Sequence, residues 1–306
     1  MLKSVRSYRV LSLATLAYTL AVIVWGAFVR VTGSGAGCGD HWPLCNGDVL
    51  PRSPTLETVI EFTHRFTSGI LVVLTLAWLV VAYRAFAKGH PARRITVIVI
   101  VFLVIESLVG AGLVIFKMVV DNPSAARGWW MAAHLANTFL LLGAMTLAAR
   151  AGWSAEPPSF RGPWARRCLA ALILLMLAGA SGAVAALGNT LFPSETLTEG
   201  FRMDFDPASH ILIRLRVLHP VFALLAAGWL MGLSAVLFSS PHRATRVWAG
   251  IVGGLAVAQA LAGFVNLLLL APPWMQLIHL VLADCLWMSA VMLTVSRAGD
   301  GAEDGL

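Results

Sequence analysis

Eight apolar stretches, at roughly 11–30, 58–83, 95–118, 130–150, 165–189, 209–238, 244–270 and 273–296, take up most of the chain. About 20 apolar residues in a helix cross the ~30 Å hydrocarbon core of a bilayer. Lipid offers no hydrogen bonds, so each crossing must bond its backbone internally, as a helix does. The expected fold is therefore all-α, with eight transmembrane helices. Composition agrees: 58% of the 306 residues are hydrophobic and 12% charged, with a mean hydropathy of +0.81. Soluble domains are about half apolar and about one quarter charged. An ordinary soluble enzyme, a disordered chain and a nucleic-acid-binding module are excluded. The first stretch is too long for a signal peptide, and no A-x-A-like site precedes Arg30.

Fourteen of the 22 Lys and Arg residues fall on one side of these spans: Lys3, Arg6, Arg9, Arg84, Lys88, Arg93, Arg94, Arg150, Arg161, Arg166, Arg167, Arg243, Arg246 and Arg297. Short loops rich in Lys and Arg stay cytoplasmic, so both termini are expected inside. The net charge of +7 is mostly a topology signal, not a nucleic-acid footprint. The short N-terminus shows no transit peptide, which points to a bacterial or archaeal plasma membrane.

A linker at 151–164, with Pro157, Pro158, Gly162 and Pro163, separates an N-terminal half, 1–150, from a C-terminal half, 165–306. Trp130-Met-Ala-Ala-His134 is echoed by Trp274-Met-Gln-Leu-Ile-His279, and Glu106-Ser-Leu-Val-Gly110 by Gln259-Ala-Leu-Ala-Gly263. Both halves start on the same side, so the expected repeat is parallel: two four-helix bundles related by a pseudo-twofold axis along the membrane normal.

Of eight histidines, His41, His90, His210 and His242 fall in loops or at span edges. His64, His134, His219 and His279 lie inside the second, fourth, sixth and eighth spans, all expected in the outer half of the membrane. In an up-down bundle the second and fourth helices sit on a diagonal. Two imidazoles meeting across it can hold one planar macrocycle from both faces, as in bis-histidine heme ligation. The alternative is that each histidine merely bonds a neighbouring helix. Polar groups in hydrocarbon are costly and often functional, and four at matched depth favour ligation. A zinc site fits less well, because each half offers only two histidines and no cysteine at that depth.

With these residues in view, the chain resembles the heme A synthases. The most specific part is Gly26-Ala-Phe-Val-Arg30-Val-Thr32-Gly-Ser34-Gly-Ala-Gly-Cys38-Gly-Asp40-His41-Trp42-Pro43-Leu-Cys45, followed by Glu61-Phe-Thr-His64-Arg65 and the contexts of His134, His219 and His279. The resemblance implies eight helices in two four-helix halves and oxidation of the C8 methyl of heme O to the formyl group of heme A. It implies heme O bound by His64 and His134, and a heme b cofactor held by His219 and His279. Some bacterial members have a second cysteine pair in the outer loop of the second half. Here Asn189–Ser209 contains no cysteine, and Cys168 and Cys285 fall inside spans, where they read as small buried hydrophobes.

Cys38 and Cys45, in the first outer loop, are spaced to close a small disulfide, structural or reversible; a redox-active or metal-handling thiol pair is the alternative. Gly33–Gly39 is not followed by the GK[ST] of a phosphate-binding loop. Glu61 and His64, at i and i+3, share a helix face. A carboxylate there could relay protons at a reacting methyl, or simply support the histidine. The matching residue before His219 is Arg216, so the halves carry opposite charges at one position. This asymmetry fits a reacting heme in the first half and an electron-transfer heme in the second. Arg65, Arg214 and Arg216 are candidates for heme propionate contacts, with snorkelling to the interface as the alternative. Glu106, mid-span, is open between packing and a proton path.

The expected function is thus heme A synthesis. Heme O synthase would supply the substrate, terminal oxidase assembly would receive the product, and lateral access would come from the lipid bilayer. The electron donor, the source of the inserted oxygen and any homo-oligomer stay open. The alternative is a di-heme b-type membrane electron carrier with no heme substrate of its own.

Overall fold

A computed structural model describes residues 2–120, 122–158 and 163–300; Arg161 and Gly162 of the linker lie outside the described residues. Among the described residues the chain is helical, with an isolated bridge between Cys45 and Asp48. The helices are α1 (Leu2–Val31), α2 (Leu56–Ala85), α3 (Pro91–Ile115), α4 (Ala125–Arg150), α5 (Pro163–Leu191), α6 (Leu197–Phe205), α7 (Ile211–Arg214), α8 (Leu218–Leu237), α9 (Arg243–Leu268) and α10 (Pro273–Asp300). A 3-10 turn, Leu215–Val217, joins α7 to α8, and together they form one span, Ile211–Leu237. With α6 set apart, eight spans among the described residues are long and apolar enough to cross a membrane.

Helix starts are set by caps that hydropathy does not register. Thr55 accepts from the Thr58 N–H at 3.3 Å, so α2 begins two residues before the apolar run. His90 caps α3 through Nδ1, 3.2 Å from the Ala92 N–H, with Pro91 in the first turn, where its missing N–H costs nothing. His210 does the same for α7, at 3.3 Å from the Leu212 N–H. The third span ends at Ile115, short of the expected 118, because Lys117 and Val120 adopt left-handed φ of 53° and 46°. Helix α6 lies in a stretch read as loop. It is amphipathic rather than apolar, so a hydropathy window passes over it. Its signal is Thr196-x-x-Glu199: Thr196 accepts from the Glu199 N–H at 3.1 Å and Glu199 accepts from the Glu195 N–H at 2.7 Å, a capping box displaced by one residue.

The chain divides into two compact units, Met1–Ala155 and Glu156–Leu306. In the first, α1 packs against α2 and α4, and α3 against α2 and α4, so α2 and α4 face each other across the diagonal. In the second, α5, α8, α9 and α10 close the same ring. Lipid is as apolar as leucine, so helices in it associate through close packing of small residues and internal hydrogen bonds. The buried positions show this: Ser12, Thr15, Ala82, Ala92, Thr96 and Ala148 in the first unit, Ala171, Ala249 and Ala256 in the second. The end of the first unit away from the 32–55 loop is filled by aromatic packing. Tyr8 lies edge-on to Phe86 with ring centres 4.9 Å apart, and its hydroxyl donates to the Ala148 carbonyl at 2.7 Å. The opposite end of the bundle holds the histidines.

Candidate functional site

His64, His134, His219 and His279 are all half-buried, about two turns into their spans. Each ring rests on a glycine of the preceding long helix. A Cβ added to Gly26 of α1 would lie 2.9 Å from Cε1 of His64; added to Gly182 of α5, 2.9 Å from Cε1 of His219; added to Gly263 of α9, 3.0 Å from Cε1 of His279. Gly110 of α3 faces His134 more loosely, at 3.8 Å. Any larger residue at the three tight positions would push the ring away. The sequence therefore opens four seats for imidazoles, one at each even-numbered span.

In the second unit the rings of His219 and His279 are perpendicular, at 87°, with centres 6.1 Å apart. His219 Nδ1 lies 2.9 Å from the Ala178 carbonyl. A carbonyl only accepts, so Nδ1 carries the proton and the lone pair is left on Nε2. His279 Nε2 is 3.3 Å from the Gln259 side-chain amide, while its Nδ1 is buried without a hydrogen-bond partner. In the first unit His134 Nδ1 lies 3.3 Å from Oε1 of Glu106. Glu106 also accepts from Asn137 Nδ2 at 2.6 Å and from the Thr138 hydroxyl. His64 is within electrostatic reach of both His134 and Glu106, and its Nδ1 is buried without a partner. Each unit thus presents two imidazoles from diagonal helices. Among the described residues no cluster of three or more His, Cys, Asp or Glu forms a closed protein-only metal centre. This donor set suits a planar group that brings its own equatorial ligands.

Glu61 is 3% exposed, and both its oxygens are engaged. Oε2 accepts from the Cys38 N–H at 2.8 Å; Oε1 is 2.6 Å from Nη2 and 3.1 Å from Nε of Arg65. Arg65 in turn donates to the His41 and Leu44 carbonyls at 2.6 and 2.7 Å. Cys38 and Cys45 are disulfide-bonded and almost fully buried, so the pair Glu61–Arg65 grips the disulfide loop from below. The loop descends onto the start of α2, where Gly37 is required: a Cβ there would collide with the Glu57 backbone. Its far side is held by Lys117, 3.2 Å from Asp40, and this lysine keeps the Asp40 carboxyl below the usual range.

Arg216 is also buried and occupied. Nε and Nη2 lie 2.8 Å from Oδ1 of Asp204 on α6, and Nη1 donates to Asn189 Oδ1 at 2.9 Å. Arg214 is exposed. Cys168 and Cys285 are free thiols, the first buried. Sequence reasoning did not find the glycine seats, Asn137, Thr138 or Asp204. A signal for two seats was present, since Glu106/Gly110 and Gln259/Gly263 share i,i+4 spacing and each pair addresses one histidine.

The COX15-CtaA family of cytochrome oxidase assembly proteins matches residues 9–291, a stretch that includes all four histidines, the disulfide and both clamps. The chain belongs to this family. A protoheme IX farnesyltransferase of Thermus thermophilus is 45% identical over 296 residues, covering 94% of this chain and 48% of the relative. The chain therefore spans about half the length of that relative. A heme A synthase of Bacillus licheniformis is 42% identical over 106 residues, 35% of each chain. Another, from Halalkalibacterium halodurans, is 35% identical over 111 residues, 36% of this chain and 37% of that one. Within this cytochrome oxidase assembly family, the histidine seats and the clamped loop are the features on which a functional reading of the chain rests.

Proposed function

We propose that the protein is a membrane heme A synthase that oxidises the C8 methyl of heme O to a formyl group. The observation that carries this reading is the diagonal histidine pair in each unit, with three of the four rings seated tightly on a glycine and with Glu106 facing His134. Heme O, the substrate, is assigned to His64 and His134. Heme b is assigned to His219 and His279, which would hold its iron, His219 through Nε2, the nitrogen that its Nδ1 contact with the Ala178 carbonyl leaves with a lone pair. When bound, heme b supplies one-electron redox chemistry. Methyl to formyl is a four-electron oxidation; with an external oxygen-donating oxidant, two successive hydroxylations would give hydroxymethyl and then a geminal diol, which loses water to give the aldehyde.

The chain's own residues bind, orient and seal. The glycine seats fix the imidazoles, and the clamped disulfide loop covers the end of the first unit where His64 lies. Glu61 is the proposed acid–base residue, three positions before His64. Its bonds to Arg65 and to the Cys38 N–H fix the carboxyl group in one orientation, with Oε1 or Oε2 as the atom that accepts a proton. Arg65, Arg214 and Arg216 are the proposed contacts for heme propionates; Arg65 also holds the first outer loop and Arg216 also holds Asp204 and Asn189.

We further propose that both termini lie in the cytoplasm of a bacterial plasma membrane; the one-sided distribution of Lys and Arg supports this. Supply of heme O by heme O synthase is supported by the Thermus relative. That protein is named for farnesyl transfer to protoheme, yet about half of it resembles this chain. Delivery to terminal oxidase assembly accords with the family description.

Pigment extraction from the purified protein tests the reading. Heme A or heme O beside heme b supports it. Heme b alone at both sites would replace it with the di-heme electron carrier.

A further inference from the structure

The four histidine rings differ in what stands behind them. His219 donates its Nδ1–H to a backbone carbonyl, His279 turns Nε2 to the amide of Gln259 and keeps Nδ1 without a hydrogen-bond partner, and His64 Nδ1 has no partner either. Among the described residues, of the four rings only His134 faces a carboxylate: Nδ1 is 3.3 Å from Glu106 Oε1, an ion-pair contact rather than an aligned hydrogen bond. Glu106 occupies on α3 the position that Gln259 occupies on α9, four residues before the glycine that faces the same ring in each unit. The carboxylate is fixed in place. Asn137 Nδ2 donates to Oε2 at 2.6 Å and also to the Phe102 carbonyl at 3.0 Å, while the Thr138 hydroxyl donates to Oε1. Asn137 and Thr138 follow His134 by three and four residues, so the ring and the donors that orient its partner come from one turn of α4.

An imidazole N–H held against a carboxylate has electron density shifted to its far nitrogen. That makes it a stronger ligand and stabilises the more oxidised metal; such partners behind a ligating histidine tune both geometry and potential. A neutral amide or carbonyl does this less. We propose that Glu106 is a positioning residue that makes His134 the strongest of the four axial donors, so that the iron held by the first unit is easier to oxidise than the iron held by the second. The proposal rests on the reading of His134 and His279 as axial ligands. It gives the asymmetry between the units an electronic meaning: one carboxyl replaced by one carboxamide at equivalent positions.

The test uses purified full-length protein with heme b in the second unit, loaded with heme O in the first. Spectroelectrochemical titration gives a midpoint potential for each heme, and low-temperature EPR gives the g-values of each ferric centre. Glu106→Gln should raise the first-unit potential and change its g-values while leaving the second-unit heme unmoved. Gln259→Glu should lower the second-unit potential, and Glu106→Asp should restore part of the first-unit shift. Unchanged potentials and g-values in both Glu106→Gln and Gln259→Glu would overturn the proposal. Should Glu106→Gln fail to load heme, Gln259→Glu decides alone: a lowered second-unit potential supports the proposal and an unchanged one refutes it. His134→Ala and His279→Ala separate this from failure of the ligand reading. If either keeps its heme with an unaltered bis-imidazole spectrum, that histidine is not an axial ligand and the reading itself falls.

Discussion

The two units use one plan with opposite charges. In each, α-helices on the diagonal bring two histidines to one end of the bundle, and a glycine on the neighbouring helix makes room for each ring. Three residues before the first histidine of each pair stands a buried ion, Glu61 in one unit and Arg216 in the other. Each holds the segment above it: Glu61 the disulfide loop through Arg65 and the Cys38 N–H, Arg216 the helix α6 through Asp204, together with Asn189 at the end of α5. The loops differ accordingly, a disulfide-closed turn over the first unit and the short helix α6 over the second. The lesson is that the donor pair is duplicated while its surroundings are not. On the proposed reading, shared features would serve to hold a macrocycle, and features that differ would serve what each macrocycle does there.

The largest expected effect tests what the units share. His219→Ala or His279→Ala should lose most heme b and all heme A formation, read by pyridine hemochromogen and extracted pigments. Full heme content with an unchanged spectrum in either variant would remove the second-unit pair from the plan.

Next comes the residue where the units diverge. Glu61→Gln keeps the shape but not the charge. Heme b should stay bound, and heme A formation should fall by about 10²–10⁴-fold, the usual contribution of an acid–base group. Heme O or a hydroxylated intermediate should accumulate. His64→Ala should differ by weakening retention of heme O itself. If Glu61→Gln forms heme A normally, Glu61 serves only as the anchor of the disulfide loop.

The disulfide loop belongs to the first unit alone. Protein prepared without reductant should yield a peptide in which Cys38 and Cys45 are linked, as seen by mass spectrometry. Replacing both by serine should loosen the loop by about 2–3 kcal/mol, the entropy of closing so short a ring, and leave second-unit heme in place. Deuterium exchange at residues 38–46 measures this. Exchange as slow as in the parent protein would mean that the Glu61–Arg65 clamp holds the loop without the disulfide.

Much of this plan is legible in the sequence, for physical reasons that differ by feature. The eight spans are local sums of hydropathy, so they need no tertiary information. The histidines stand out because hydrocarbon makes a polar side chain conspicuous. The roles of Arg65 and Arg216 were not legible. Proximity to a membrane end suggests propionates, which stays a proposal; the arginines' further hold on the His41 and Leu44 carbonyls and on Asp204 forms only once the chain has folded. Helix α6 escaped because a nine-residue amphipathic segment has no apolar run, although its Thr196-x-x-Glu199 start was readable. The glycine seats were half-visible. Glycine alone says nothing about what approaches it; its i,i+4 pairing with Glu106 or Gln259, repeated in both halves, marked the faces that meet the histidines.

The smallest expected effects lie in those seats, and they sharpen the comparison within the first unit. A methyl at Gly26, Gly182 or Gly263 would stand 2.9–3.0 Å from an imidazole carbon, closer than atoms pack. The ring must tilt, or the helices part. Overpacking of this kind costs about 1–3 kcal/mol, so each of these alanine variants should bind its heme roughly 5- to 150-fold more weakly. A methyl at Gly110 would stand 3.8 Å from His134, an ordinary contact. Gly110→Ala should therefore bind heme as the parent does, with His134 still oriented by Glu106. Equal losses at Gly110 and Gly26, measured by heme titration of the purified variants, would mean that the α3–α4 contact closes further around bound heme. Equal tolerance at all four would mean that the rings are held by hydrogen bonds rather than by their glycine seats.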